Sequence, residues 1–205
     1  MNRRGFLLTC AGASSLLPVA ALANVSCGMT FVPGIGPTQV CTAGILSPLA
    51  AMFASYQQFS EWCWAASISM IFRYYGHTIS QPRIVKETWG KIDNVPGTVD
   101  QILNDLSRTW TDDDGGTFQA SCDAYDANPM TAAQDLANNE PLLVCALGHA
   151  MVLTALTYAA NPSAPGGASV IEATVRDPWP DNGGRRVLTP QEWYNISLLA
   201  RVRVS

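Results

Sequence analysis

Side chains able to attack a carbonyl or move a proton near neutral pH are scarce in this chain, which has 6 cysteines and 2 histidines among 205 residues. Cys63 lies in Gln57-Gln58-Phe59-Ser60-Glu61-Trp62-Cys63-Trp64-Ala65-Ala66. Ser60 suits a helix N-cap and Glu61 a first turn. Apolar residues then recur at Trp64, Ile68, Ile71, Phe72 and Tyr75, a helical spacing, and Gly76 can end the helix in a left-handed conformation. Cys63 is therefore expected in the first turn of a buried helix, where free N–H groups and the helix dipole favour a thiolate.

A thiolate of this kind needs a base. His149 stands in Leu147-Gly148-His149-Ala150-Met151-Val152 at the start of an apolar strand, flanked by residues small enough to let a thiol and a substrate backbone approach. His77 follows the helix end at Tyr75-Gly76 and is expected to face water. The base in turn needs a group that fixes its tautomer. Asp177 ends the strand Val170 to Arg176, and in an antiparallel hairpin the end of that strand lies near the start of the previous one, where His149 is. Taken singly, His149 reads equally well as a core histidine bonded to a backbone carbonyl, and Asp177-Pro178 as a turn. Their pairing is what points to chemistry. An oxyanion would meet the Cys63 N–H and a glutamine amide upstream, from Gln57 or Gln58. A zinc site fits poorly, because no cysteine pair has the Cys-x-x-Cys spacing.

The elements that must position these residues change character along the chain. After the Cys63 helix, Ser80 is expected to cap a helix running to Trp89, Thr98 another through Leu106, and Thr131 a third through Leu136. Thr111 to Gly116 reads as a polar turn. From Pro141 onward, Leu142 to Leu147, Met151 to Tyr158, Ser169 to Arg176, Arg185 to Leu188 and Ile196 to Val204 read as strands, with turns at Asn161 to Gly167 and Asp181 to Gly184. Helices first and strands second imply an α+β fold with an antiparallel sheet.

Gln57, Trp62-Cys63-Trp64-Ala65-Ala66, Gly148-His149-Ala150 and Asp177-Pro178-Trp179 together resemble the papain-like cysteine proteases. The pattern is most similar to bacterial branches: the double-glycine (C39-like) leader peptidases, their stand-alone relatives and an avirulence-effector protease family. The resemblance spans about residues 54 to 205. It selects Gln57 over Gln58, because papain-type enzymes place the oxyanion glutamine six positions before the cysteine. It implies a helical half carrying Cys63 and a sheet carrying His149 and Asp177. It also implies a short helix near Thr189-Pro190-Gln191-Glu192-Trp193, and a tryptophan, Trp179, shielding the His–Asp hydrogen bond. Asp177 stands where plant-type papains carry Asn, and Ala155 where papain-type histidine motifs carry Gly, so the eukaryotic branch fits less well. The implied activity is peptide-bond hydrolysis through a Cys63 thioester on a peptide or protein substrate, with no metal or organic cofactor. Another acyl transfer on the same triad, or a catalytically silent binding domain, are the alternatives.

The remaining sequence concerns compartment. Residues 1–23 read as an export signal: Arg3-Arg4 precede Gly5-Phe6-Leu7, an apolar stretch follows to Leu22, and Ala21-Leu22-Ala23 is a small-x-small cleavage site. The paired arginines resemble a twin-arginine signal, with an ordinary secretory signal as the alternative. Neither Cys10 nor Cys27 fits a lipoprotein site. Residues 24–53 are rich in Gly, Pro and small residues and are expected to be an extended lead-in, either wrapping the surface or acting as an inhibitory pro-segment, before a catalytic domain over 54–205. Five cysteines follow the signal, an odd number that suits one free thiol beside paired ones in a periplasmic or secreted protein. Chain proximity favours Cys27–Cys41 and Cys122–Cys145, leaving Cys63 free, although four cysteines allow other pairings. A twin-arginine route would require those bonds to form after transport. The net charge of −4 offers no basic patch for nucleic acid, no second apolar run is long enough to span a membrane, and a monomer is expected.

Overall fold

The computed structural model describes residues 24–32, 36–161, 167–182 and 184–205, so the expected export signal over 1–23 lies outside the described residues. The chain runs β1 (Val25–Val32), β2 (Gly36–Gly44), α1 (Ser47–Met52), α2 (Cys63–Tyr74), α3 (Gln81–Trp89), α4 (Val99–Asp105), β3 (Thr109–Thr111), β4 (Thr117–Tyr125), α5 (Pro129–Ala137), β5 (Leu142–Ala146), β6 (His149–Ala160), β7 (Ala168–Arg176), a 3-10 turn (Pro180–Asn182), β8 (Arg185–Val187), α6 (Pro190–Tyr194) and β9 (Ile196–Val204). This is the α+β class expected from the sequence, with the helix carrying Cys63 ahead of the strands carrying His149 and Asp177, but the order is not helices first and strands second: β1 and β2 precede every helix, and β3 and β4 lie between α4 and α5.

The sheet is antiparallel, in the order β1-β2-β6-β5-β9-β4-β3, with β7 on β6 and β8 on β7. The long strand β6 organises it. One edge of β6 pairs first with β5, through His149–Leu153, and then with β2, through Ala155–Ala159; the other edge pairs with β7. Strand β5 is buried along its whole length, so both of its faces need apolar cover. Alternation supplies it. Leu143 and Cys145 join the core beneath α2 with Ile68, Ile71 and Phe72, while Leu142, Val144 and Ala146 join the core beneath α5 with Ala132, Leu136 and Ala137. Strand β6 divides the same way, with Ala150 and Val152 in the first core and Met151 and Leu153 in the second.

Local signals explain most of the boundaries. Helix α2 ends at Tyr74 with Tyr75 as its C-cap, Gly76 takes φ 90°, and the N–H groups of Gly76 and His77 return to the carbonyls of Arg73 and Phe72. That is the left-handed glycine stop its sequence promised. Thr98 caps α4 in a reciprocal box with Gln101. The third helix starts earlier than expected. Asn128 caps it, its Oδ1 accepting from the N–H groups of Met130 and Thr131, and Pro129 takes the first helical position, so Thr131 falls inside the helix.

Strands β1 and β2 pair antiparallel, β2 also pairs with β6, and the Cys27–Cys41 disulfide joins directly opposed residues. The expected Cys122–Cys145 bond is absent; both cysteines, like Cys63, are free thiols. The topology shows why. Cys122 opposes Val202 and Cys145 opposes Leu198, on opposite edges of β9. They are two strand spacings apart and offset by four residues, roughly 15 Å, whereas a disulfide needs Cα atoms about 4.4–6.8 Å apart. No helix among the described residues is long and apolar enough to cross a membrane.

Candidate active site

Cys63 occupies the first position of α2 and is half-buried. The residue at the N-cap is Trp62 rather than Ser60, and no side chain caps this end. The first N–H groups of α2 therefore lack intrahelical partners and point their partial positive charge toward the thiol. Two buried tryptophans fix this helix start. The indole N–H of Trp62 donates to the carbonyl of Asp93 at 2.8 Å, and that of Trp64 to the carbonyl of Val95 at 3.2 Å. They staple residues 93–97 to the helix. A Cβ at Gly97 would lie 2.6 Å from the Trp64 ring, so only glycine lets the backbone pass there. Ser60 joins the same staple, its hydroxyl accepting from Asn94 Nδ2 at 2.9 Å.

His149 enters from a two-residue hairpin turn between β5 and β6, where Ala146 opposes His149. Both turn residues have positive φ, Leu147 at 50° and Gly148 at 79°. Tight hairpins favour this geometry, but a leucine there costs about 1–2 kcal/mol relative to glycine-like freedom. The turn thus holds the imidazole at the mouth of the sheet at a local energetic cost.

Asp177 follows β7. The register Val152↔Arg176 carries the end of β7 back to the start of β6 and brings Asp177 against His149. Oδ1 of Asp177 lies 2.7 Å from Nε2 of His149. The Asp177 carboxylate is fully buried and accepts from three further donors: the Trp179 N–H at 2.8 Å, Asn182 Nδ2 at 2.7 Å and Arg186 Nε at 2.6 Å. Burial works against its charge, but the hydrogen bonds from His149, Arg186 and the Trp179 N–H outweigh burial and hold its pKa well below the ordinary carboxylate range. For His149, burial also opposes the charged form. The Asp177 carboxylate and the Cys63 side chain more than offset that and raise the imidazole pKa to about 9. With Nε2 engaged by Asp177, Nδ1 is the nitrogen left for the thiol.

Cys63 and His149 line one cleft of about 270 Å³. Trp64, Pro96, Gly97, Val99 and Ile102 give it an apolar wall, Glu61 and Ser197 add polar groups, and Trp179 stands edge-on to the imidazole at 6.4 Å between ring centres. Cys145 lies at its base, where burial and the neighbouring Cys63 push its thiol up to about 12. A larger cleft, between α1 and α2 at Leu49, Met52, Phe53 and Tyr74, holds no such constellation. None of the described residues among 24–53 lines the cleft at Cys63.

Gln57 is buried just before the helix, but its amide faces the loop. Nε2 donates to the carbonyls of Phe59 at 2.9 Å and Ser60 at 2.8 Å, while Oε1 is buried without a partner. Gln58 is exposed, and its N–H donates to Gln81. His77 does not face open water alone: its Nδ1 pairs with Asp112 at 3.0 Å, away from the cleft, and its ring stacks on Phe118. Sequence reasoning missed Asn182, Arg186 and Glu192. One signal was present for Arg186. It stands two residues before the buried Leu188 on an expected strand and so shares its face, which turns the side chain inward toward an anion.

No curated protein matches the chain. Among solved structures it is similar to the double glycine motif protease from the AMS/PCAT transporter in complex with the leader peptide, with TM-score 0.47 and 16% identity over 74% of this chain and 91% of that one. It is also similar to the peptidase domain of Streptococcus ComA, a bi-functional ABC transporter involved in quorum sensing, with TM-score 0.47 and 15% identity over 74% and 96%. The family model described as papain-like cysteine protease AvrRpt2 matches residues 51–195. The chain therefore belongs to that family of papain-like cysteine proteases and is a cysteine peptidase.

Proposed function

We propose that this peptidase hydrolyses peptide bonds of a peptide or protein substrate with Cys63 as nucleophile, His149 as acid and base, and Asp177 as the group that orients the imidazole. The observation that carries this reading is the meeting, at one cleft, of a helix-start cysteine and a histidine whose far nitrogen is held by a buried carboxylate. The Cys63 thiolate attacks the scissile carbonyl, and the carbonyl oxygen takes the negative charge. The protonated imidazole passes its proton to the leaving amine, leaving a thioester on Cys63. The neutral imidazole then takes a proton from water, which attacks the thioester and releases the acid.

The oxyanion meets the Cys63 N–H, which has no intrahelical acceptor. Gln57 is the second donor, with one Nε2 proton leaving Phe59 or Ser60 for the substrate. The unpartnered Oε1 supports a side chain whose present bonds are incomplete. Residues 1–23 direct the chain out of the cytoplasm, and the Cys27–Cys41 bond suits the oxidising side of the membrane.

Incubation with a peptide library, read by mass spectrometry, tests the reading. Wild-type protein cleaves a subset of peptides, and Cys63→Ala cleaves none. Added amine acceptors leave most product as free acid; product carried chiefly on the amine would assign the chain to acyl transfer instead.

A further inference from the structure

Asp177 belongs to the reading above, and the inference here rests on it. What that reading leaves unused is the second oxygen of the carboxylate and what lies behind it. Oδ2 accepts from Arg186 Nε at 2.6 Å and from Asn182 Nδ2 at 2.7 Å. The guanidinium does not stop there. Its Nη1 and Nη2 donate to the two oxygens of Glu192 at 2.9 and 2.6 Å, and Nη2 also touches Met151 Sδ at 3.2 Å. Glu192 is itself fixed, because it forms the capping box of α6 with Thr189. Charges alternate along this line: imidazolium from β6, carboxylate after β7, guanidinium from β8, carboxylate from α6.

We propose that Arg186 is a positioning residue for catalysis: anchored by Glu192, its Nε clamps Oδ2 of Asp177 so that Oδ1 stays aimed at Nε2 of His149. A carboxylate with no exposed surface and only neutral donors is free to turn about its last bond or to take up a proton. Either event frees the imidazole to rotate away from the thiol. A planar fork engaged at both ends removes both freedoms, because it fixes the carboxylate plane and supplies a permanent positive charge. Asn182 adds a neutral donor to the same oxygen from the exposed 3-10 turn.

The sign of the effect follows. The groups facing Asp177 are His149, Arg186 and, through Arg186, Glu192; Cys63 acts through His149. An ionised Asp177 accepts the Nε2–H of the imidazolium and keeps its ring turned toward Cys63, and that hold weakens as pH falls through the carboxylate's own pKa. Removing the guanidinium raises that pKa, so the loss comes at a higher pH.

The experiment is the rate of iodoacetamide labelling of Cys63 against pH in the full folded protein, for wild type, Arg186→Gln and Asn182→Ala. Arg186→Gln is expected to move the acid edge of Cys63 reactivity upward by about one pH unit or more, and Asn182→Ala by less in the same direction. A residue that only packs β8 against α6 would lower the melting temperature without moving this edge. Should Arg186→Gln fail to fold, the exposed Asn182→Ala variant decides. An acid edge unchanged in every folded variant, with Cys63 still activated, overturns the proposal. An unactivated Cys63 in the wild type would instead sink the triad reading and this inference together.

Discussion

The molecule contains two histidine–aspartate pairs, His77–Asp112 and His149–Asp177, and only the second shares a cleft with a helix-start cysteine. His77 Nδ1 lies 3.0 Å from Asp112, and His149 Nε2 lies 2.7 Å from Asp177. The two imidazoles are about equally exposed, at 26% and 24%. The difference lies in what each pair is attached to. Phe118 stacks on the His77 ring at 4.0 Å, and Asp112 turns its other oxygen to the N–H groups of Asp114 and Gly116. That pair closes a turn. His149 instead presents its free nitrogen to Cys63 at a helix start, and Asp177 turns its other oxygen to Arg186. On the proposed function, a histidine–aspartate contact is a structural latch at His77 and a catalytic base at His149, according to the third group each partner meets.

The largest separation of the two pairs should come from deleting the histidines. His149→Ala should lower peptide cleavage by roughly 10²- to 10⁴-fold. His77→Ala should keep the cleavage rate and lower the melting temperature. Comparable loss of activity from both would erase the distinction.

The carboxylates should divide next. Asp177→Asn removes the charge that lifts the imidazole to about 9, so the alkaline edge of activity should fall by about one pH unit or more. Asp112→Asn should leave both edges in place and speed hydrogen exchange at the Asp114 and Gly116 amides, which its carboxylate now holds.

A smaller contrast concerns stability. The folded pKa of His149, about 9, lies above the unfolded value of about 6.5. The pair's stabilisation is therefore complete below about pH 6.5 and is lost as pH rises through about 9. Wild type and His77→Ala should both lose stability across that window in chemical unfolding, and His149→Ala should lose less. The smallest expected effect lies among the thiols. Burial raises the pKa of both Cys122 and Cys145, so in the folded protein at neutral pH they should label far more slowly than Cys63.

Much of the catalytic half was legible because its signals are local. The helical spacing after Cys63, the Gly76 stop and the Thr98 cap each depend on a few neighbouring residues. The approach of Asp177 to His149 followed from antiparallel pairing of consecutive strands. What the sequence hid depends on distant partners. Strand β4, Thr117–Tyr125, is largely polar and small; its start pairs with the short β3, but the rest pairs with β9 nearly eighty residues later. The segment of β1 and β2 reads only as an extended lead-in, since the two strands pair locally but β2 finds its second partner in the distant β6. Cys122 and Cys145 are near in sequence, but a whole strand, β9, inserts between them. Arg186 could be seen to point inward, but not toward what, because Asp177 and Glu192 reach it from separate elements.

The central claim is that Cys63 and His149 form one activated pair. Alkylation of the folded, unreduced protein across pH, mapped by mass spectrometry, tests it most directly. The account predicts rapid labelling of Cys63 that continues into mildly acidic pH, survives His77→Ala and disappears at low pH in His149→Ala. Cys63 titrating as an ordinary thiol, alike in wild type and in His149→Ala, would contradict it.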